Sequence, residues 1–351
     1  MASKVTVFDH NLHPLDELNV AVTPRSWVLN DYGRAEFTIS TADPKCTLRN
    51  LQFGNMVFIQ HIQTKNEDNV LNGRLPDWVG MILPIRKWDL GMVHVTAYSA
   101  ELILAFRAMP WRTIKGTPKT MFTKILQFAA ESAPNIIIQP GALDDVTDNF
   151  SDDLRVNGYD HIKKLIGKCG MDWDVTGELD SKGNLQLFGN LYSSKGTYTG
   201  QTFTNTNSQL ESPSLTEQGA PANVVIGHTQ AQTQRDRLEW RAVHQDALDD
   251  YGPLELNTTF MGIRDLAGLK TSSQEHANKS GRPTRILRRT ALDLGDTFSF
   301  LNTGNTWDLF DTTVGFLDGG GFGIQTKVKI KSMDYNDLSN KCPLNIEVID
   351  G

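Results

Sequence analysis

The side chains best suited to chemistry in this sequence are eight histidines, three cysteines and a run of aspartates. His10 and His13 are the one close histidine pair, in a turn-rich stretch ending at Pro14 with no cysteine nearby. A zinc site needs a spacing such as HxxxH or CxxC feeding a third or fourth ligand, so this pair reads as solvated loop histidines. His61, His94, His161, His228, His244 and His276 are dispersed along the chain. The stretch LDDVTDNFSDDL (143–154) carries Asp144, Asp145, Asp148, Asp152 and Asp153. Such oxygen ligands suit calcium, but the DxDxDG loop and its closing Glu are missing, and the stretch reads as an exposed loop flanking a helix. The glycine run DGGGFG (318–323) leads through Ile324, Gln325 and Thr326 into a strand. A phosphate cradle needs a helix after the glycines, so a hairpin loop fits better.

Nucleophilic and carboxylate chemistry fare no better. No GxSxG elbow occurs, and paired carboxylates for glycoside hydrolysis cannot be singled out among 41 acidic residues. Trp78, Trp88, Trp111, Trp173, Trp240 and Trp307 fall at element edges. Tryptophans half-buried at strand ends are the default, with sugar stacking as the alternative. Cys46, Cys169 and Cys342 are isolated and odd in number, which reads as reduced thiols of a protein made in a cytoplasm. The sequence therefore offers no catalytic, cofactor-binding or metal-ligating set.

The elements that would have to position any site are mostly strands. In VLNDYGRAEFTIS (28–40) the turn Asn30-Asp31-Tyr32-Gly33 precedes a strict alternation, with Ala35, Phe37 and Ile39 on one face and Glu36, Thr38 and Ser40 on the other. NMVFIQHIQ (55–63), DWVGMILPI (77–85) and MVHVTAYSA (92–100) follow as strands, the last preceded by a hairpin turn at 87–91. The period then changes. Thr117 caps and Pro118 opens a helix to residue 132, with Phe122, Ile125, Leu126 and Ala129 as its apolar stripe. A second helix is predicted over 159–170, with Ile162, Leu165, Ile166 and Cys169 inward and Gly170 as the stop. Strands around the turn 180–183 complete an α+β middle. Residues 192–222, rich in Ser, Thr, Asn and Gly, read as a loop or linker. Strands return at 223–228, 236–243, 284–292, 296–300, 326–332 and 344–350.

Size and charge exclude several classes. The chain has 351 residues, 39% hydrophobic and 21% charged, enough for two or three domains with cores of their own. Its net charge of -7 argues against a dedicated nucleic-acid or anionic-membrane binder. Every apolar run falls far short of the ~20 residues of a membrane helix, and MASKVTVFDHNLHPLDELNV has no apolar secretory region.

Six stretches, taken in order, resemble the tail hub proteins of long-tailed bacteriophages. They are SWVLNDYGRAEFTIS; NMVFIQ with DWVGMILPIRKWDLGMVHVTAYSAELILAFR, which places Ser99, Leu102 and Arg107; HIKKLIGKCGMDWDV; DYGPLEL, with Tyr251, Gly252 and Glu255; LDLGDTFSF, with Leu294, Gly295, Asp296 and Phe298; and the closing KVKIKSMDYNDLSNKCPLNIEVIDG. The resemblance covers nearly the whole chain and is weakest at 175–235 and 300–325. It implies a mainly β fold with an α+β middle. A first β-barrel hub domain would span 1–110, an α+β domain 111–215, and a second β-rich domain with a barrel completed by the C-terminal strands 216–351. It further implies a homotrimer whose paired barrel-like domains make a pseudo-six-fold ring at the virion tail tip. The implied neighbours are a distal tail protein or tail tube ring, the tape measure protein and other tip or receptor-binding proteins. DNA would be met only in transit, there is no membrane-spanning segment or cofactor, and assembly occurs in the host cytoplasm. The resemblance implies no enzyme; the alternative reading is a carbohydrate-binding or carbohydrate-degrading tail-tip protein.

One register expectation is sharp. In TKVKIKS (326–332), Val328 and Ile330 should face a core opposite Leu344, Ile346 and Val348. Lys327, Lys329 and Lys331 should face solvent, a partner or a lumen, so that Lys329→Glu leaves the fold intact.

Overall fold

Strand alternation governs the first hundred residues and the last fifty. The computed structural model describes residues 3–61, 75–204, 210–218, 222–229, 237–260, 263, 265–281, 284–292, 301–316, 322–338 and 341–349. The opening strands are β1 (Ser3–Phe8), β2 (Pro14–Leu18), β3 (Val22–Val28), β4 (Arg34–Ser40), β5 (Met56–His61), β6 (Trp78–Asp89) and β7 (Met92–Ser99), followed by a 3₁₀ helix, Ala100–Phe106. In β4, Ala35, Phe37 and Ile39 are buried as their spacing requires. The turn before it is equally constrained: a Cβ on Gly33 would sit 2.0 Å from the Ser26 carbonyl oxygen, so no other residue fits.

β5 shows why its sequence reads as an unbroken apolar run. Val57 and Ile59 join a core with Phe37, Val93 and Val95 on one face of the sheet. Met56 and Phe58 join a second core on the other face, shared with the helices that follow. A strand buried on both faces has no polar side to alternate with.

The middle of the chain supplies that second core. Its elements are β8 (Arg112–Gly116), α1 (Pro118–Ser132), β9 (Ile138–Leu143), β10 (Phe150–Leu154), α2 (Gly158–Cys169), β11 (Asp172–Leu179) and β12 (Leu185–Tyr192). The Thr117 hydroxyl accepts from the Thr120 amide at 3.4 Å, and Phe122, Ile125, Leu126 and Ala129 are all buried. α2 is capped by Asn157, whose Oδ1 accepts from the Asp160 amide at 2.9 Å, and stops at Gly170 in the left-handed region with φ 68°. The three strands pair in the order β11-β12-β9.

The expected linker at 192–222 instead carries two strands, β13 (Tyr198–Thr204) and β14 (Leu210–Gln218). Its Ser, Thr and Gly content imitates a loop, yet β13 pairs in parallel with a strand more than a hundred residues away. That strand is β19 in chain order, after β15 (Val224–Thr229), β16 (Glu239–Val243), α3 (Gln245–Tyr251), β17 (Glu255–Phe260), α4 (Leu266–Ser280) and β18 (Thr284–Leu292). β19 itself spans Thr306–Phe316, and β20 (Phe322–Tyr335) and β21 (Lys341–Ile349) close the sequence of elements. The expected strand 296–300, the LGD residues Leu294, Gly295 and Asp296, and most of the glycine run 318–323 lie outside the described residues.

The architecture is thus mainly β with an α+β middle. The first and last strands form one 13-stranded sheet along the path β14-β18-β21-β20-β3-β4-β7-β6-β5-β1-β2, with β13 and β19 attached through β20. The barrel-like ends expected as separate modules are joined at β3 and β20, where Met333 pairs with Trp27, and no sheet closes on itself among the described residues. Two compact units emerge, one of residues 1–214 with 288–351 and one of 215–287. The second holds the sheet β16-β15-β17 and α4. Leu269, Ser273 and Ala277, four residues apart, are the buried stripe of α4.

The register of the closing hairpin matches its alternation. Val328 pairs with Val348 and Ile330 with Ile346, and a bulge then sets Met333 opposite Leu344. Val328, Ile330 and Ile346 are fully buried.

Candidate functional site

The five aspartates of the acidic stretch diverge. Asp144 accepts from the Ser193 amide and hydroxyl at 2.8 and 2.9 Å. Asp145 accepts from the Thr117 hydroxyl at 3.0 Å, and Asp153 from the Thr113 hydroxyl at 2.6 Å. Asp148 is exposed. Asp152 is buried between His161 and Lys164 of α2. Among the described residues no three His, Cys, Asp or Glu side chains are grouped so as to hold a metal ion. His10 is exposed, and His13 lies 3.7 Å from Asp9.

Among the described residues, Asp152 and His161 form a buried Asp–His pair with the look of catalytic machinery. His161 Nδ1 lies 2.6 Å from Asp152, and its Nε2 accepts from the amides of Arg155 and Val156 at 3.0 and 3.3 Å. That pattern fixes the neutral tautomer with the proton on Nδ1, donated to the carboxylate. The Nε2 lone pair that a general base would use is committed to the backbone. The pair is therefore a fastener of the loop before α2. Burial alone would raise the Asp152 pKa, but Lys164 and His161 hold it below the usual carboxylate range.

The richest polar site lies at the start of β11, where the period of two sends Trp173 and Val175 into the core and Asp172 and Asp174 the other way. Asp172 Oδ1 accepts from the Asn30 side chain at 2.7 Å. Its Oδ2 accepts from the Lys195 amide at 2.9 Å and from Lys329 Nζ at 2.7 Å. One carboxylate thus ties the opening turn, the end of the middle sheet and the closing strand β20. Asn30 returns a second bond, accepting from the Trp173 amide at 2.8 Å. Desolvation pushes the Asp172 pKa up, and the Lys329 ammonium, the Lys195 amide and Asn30 outweigh it and hold it low. The expectation for Lys329 is corrected here. Its side chain is only 17% exposed and is committed to Asp172 within the chain, because alternation specifies a face but not what covers it.

Beside this joint a cleft of about 90 Å³ is lined by Trp27, Trp78, Asp31, Asp77, Glu101, Asp174 and Lys195, among others. Lys195 bridges Asp174 Oδ2 at 2.7 Å and the Thr303 hydroxyl at 3.0 Å. Asp31 binds the Tyr159 hydroxyl and, at 2.9 Å, Lys163. Glu101 is 7% exposed, and its Oε1 accepts from the Val175 amide at 3.0 Å. Burial pushes its pKa up to about 7, with Ser99 and Val175 opposing that rise. Sequence inspection passes over Glu101, because a lone Glu at the start of a short helix has no spacing signal.

Carboxylates beside tryptophans are the arrangement that a carbohydrate-acting protein would need. The Trp78 ring is 1% exposed, however, and its indole nitrogen donates to the Ser26 carbonyl at 2.9 Å, so it presents no stacking face. The volume also falls below the ~300 Å³ at which ligand pockets begin. Trp173 and Trp307 are buried, and the exposed Trp88 and Trp111 sit on different elements.

No family model matches the sequence, and no curated protein matches it. Solved structures do. The 43 kDa tail protein of prophage MuSo2 from Shewanella oneidensis aligns with a TM-score of 0.63 at 10% identity, over 99% of this chain and 98% of that one. The tail protein from Neisseria meningitidis MC58 aligns at 0.59 with 14% identity, over 99% and 97%. Prophage tail protein gp18 from Listeria monocytogenes EGD-e aligns at 0.60 with 10% identity, over 99% and 94%. The fold of this chain is therefore that of phage tail proteins from end to end, the same group to which the order of its sequence stretches leads.

Proposed function

We propose that the chain is a structural hub protein of a long-tailed phage tail tip or baseplate. Three copies form a pseudo-six-fold ring that closes the tail tube and joins it to the distal tail ring, the tape measure protein and the tip or receptor-binding components. DNA meets the ring only in transit. The protein resides in the virion tail tip, is assembled in the host cytoplasm and performs no catalysis. The observation that carries this reading is the likeness to the Shewanella prophage tail protein, which covers 99% of this chain and 98% of that one. The committed state of the titratable clusters supports it: the Asp–His pair has no free base, and Asp172 ties three segments of one unit. Copy number in purified tail particles, read by electron microscopy and quantitative mass spectrometry, is the test. Three copies at the tip are expected; absence from particles, or a ring of another order, overturns it.

A further inference from the structure

A hollow of about 330 Å³ lies on β13, β19 and β20, above the ~300 Å³ at which ligand pockets begin. Strand register brings its side chains together. β13 and β19 pair Thr202 with Asp308, and β19 and β20 pair Asp308 with Lys327 and Phe310 with Gln325. Alternation turns these five away from Trp307, Leu309 and Val328, which are buried. Phe310 is 36% exposed, and Thr202, Gln325 and Lys327 are exposed beside it. Tyr198 sets the charged end. Its hydroxyl donates to Asp308 Oδ2, and Lys327 Nζ stands 5.0 Å from the centre of its ring.

This lining is selective by its chemistry. Asp308 and Lys327 offset each other, so neither an anion nor a cation is preferred. A carboxylate accepts, an ammonium donates, and an amide and a hydroxyl do both; hydroxyl groups on a ligand can answer all of them. The half-exposed ring of Phe310 offers a flat apolar face to the C–H side of a saturated ring. We propose that this hollow binds one neutral pyranose unit, with Phe310 stacked on the sugar ring and Asp308, Gln325 and Lys327 on its hydroxyls. Tyr198 is a positioning residue, holding Asp308 through its hydroxyl and Lys327 over its ring. Asp308 is the one carboxylate among the lining residues, whereas glycoside hydrolysis ordinarily takes a pair, so the site holds a sugar without cleaving it.

The full chain, carrying ¹³C-labelled phenylalanine, is titrated with the methyl glycosides of glucose, galactose, mannose and N-acetylglucosamine. Glucosamine and sodium glucuronate are the charged arms. At least one neutral glycoside should shift the Phe310 ring resonances saturably, and should bind more tightly than either charged sugar. By calorimetry, Phe310→Ala and Gln325→Ala should each weaken that binding about tenfold, the loss of the stacking face and of an amide hydrogen bond. Both side chains are exposed, so the melting temperature should not move. Tyr198→Phe keeps the ring beside Lys327 but releases Asp308, and should weaken binding several-fold, again at an unchanged melting temperature. No saturable response to any neutral glycoside, unchanged affinity in Phe310→Ala, or tighter binding of glucosamine or glucuronate overturns the proposal. Phage particles carrying Phe310→Ala separate the sources of the sugar, an arm that rests on the hub reading. Intact particles that adsorb less to host cells identify a surface polysaccharide, and normal adsorption despite lost glycoside binding identifies a free sugar. Loss of a neighbouring tail protein from those particles, with no glycoside bound by the wild-type chain, identifies a protein partner and overturns the proposal. Absence of the wild-type chain from particles counts against the hub reading alone and leaves the glycoside titration standing.

Discussion

Glu101→Gln should stabilise the protein at alkaline pH while leaving it unchanged in acid. The carboxyl is fully enclosed, and its pKa rises from 4.5 in the unfolded chain to about 7 in the fold. The sign follows from linkage: a carboxyl whose folded pKa is raised binds its proton more tightly when folded. Its contribution is intact below about 4.5 and is lost as pH rises through about 7. At ~1.36 kcal/mol for each pH unit, the interval is worth about 3 kcal/mol, reached on the alkaline side. Glutamine keeps the Oε1 acceptor for the Val175 amide and matches the shape of the neutral acid, so the variant tracks the protonated wild type throughout. Urea unfolding from pH 5 to pH 8, followed by tryptophan fluorescence from Trp78 and Trp173 beside the site, gives the difference directly. The expected stability gap between Glu101→Gln and wild type widens by about 3 kcal/mol over that range. A gap that stays flat, or a variant weaker than wild type at pH 8, would refute the burial argument.

Lys329→Glu should destabilise the chain by roughly 3–5 kcal/mol, since it sets two carboxylates against each other at a half-buried joint; thermal unfolding checks it, with Lys327→Glu, on the exposed flank of the same strand, as the near-neutral control. Val328→Asp places a charge at a fully buried position and should abolish folding, seen as loss of far-UV ellipticity or inclusion in the insoluble fraction. His161→Ala should cost about 2 kcal/mol by stripping the Arg155 and Val156 amides of their acceptor, with hydrogen exchange rising at those two amides. Incubation with peptidoglycan or host polysaccharide should release no products; cleavage that vanishes on substitution of Glu101 or Asp174 would overturn the structural reading.

Much of this fold is legible in the sequence because alternation and helical spacing are local signals. The faces of β4, the cap at Thr117 and the closing register at Val328 all follow from neighbours within a few residues. What escapes is set by distant partners. The strand β13 looks like linker because its pairing with β19 is supplied from beyond residue 300. α4 escapes because its buried stripe of Leu269, Ser273 and Ala277 is small and partly polar, so no apolar period marks it.

The same limit explains the lysines of β20. Their alternation is plain, and placing them on the face away from Val328 and Ile330 is right. Whether such a face meets water or another layer depends on Asp172, more than 150 residues away. Nothing in TKVKIKS distinguishes Lys329, half-buried in an ion pair, from Lys327, exposed beside Tyr198. Long basic side chains permit both outcomes, because the stem packs while the ammonium reaches for its partner. A polar face of a strand is therefore better read as a set of available contacts than as a surface. In this chain the contact it finds joins the last strands to the middle sheet. A single charge reversal at that tie should cost the fold several times what an exposed one does.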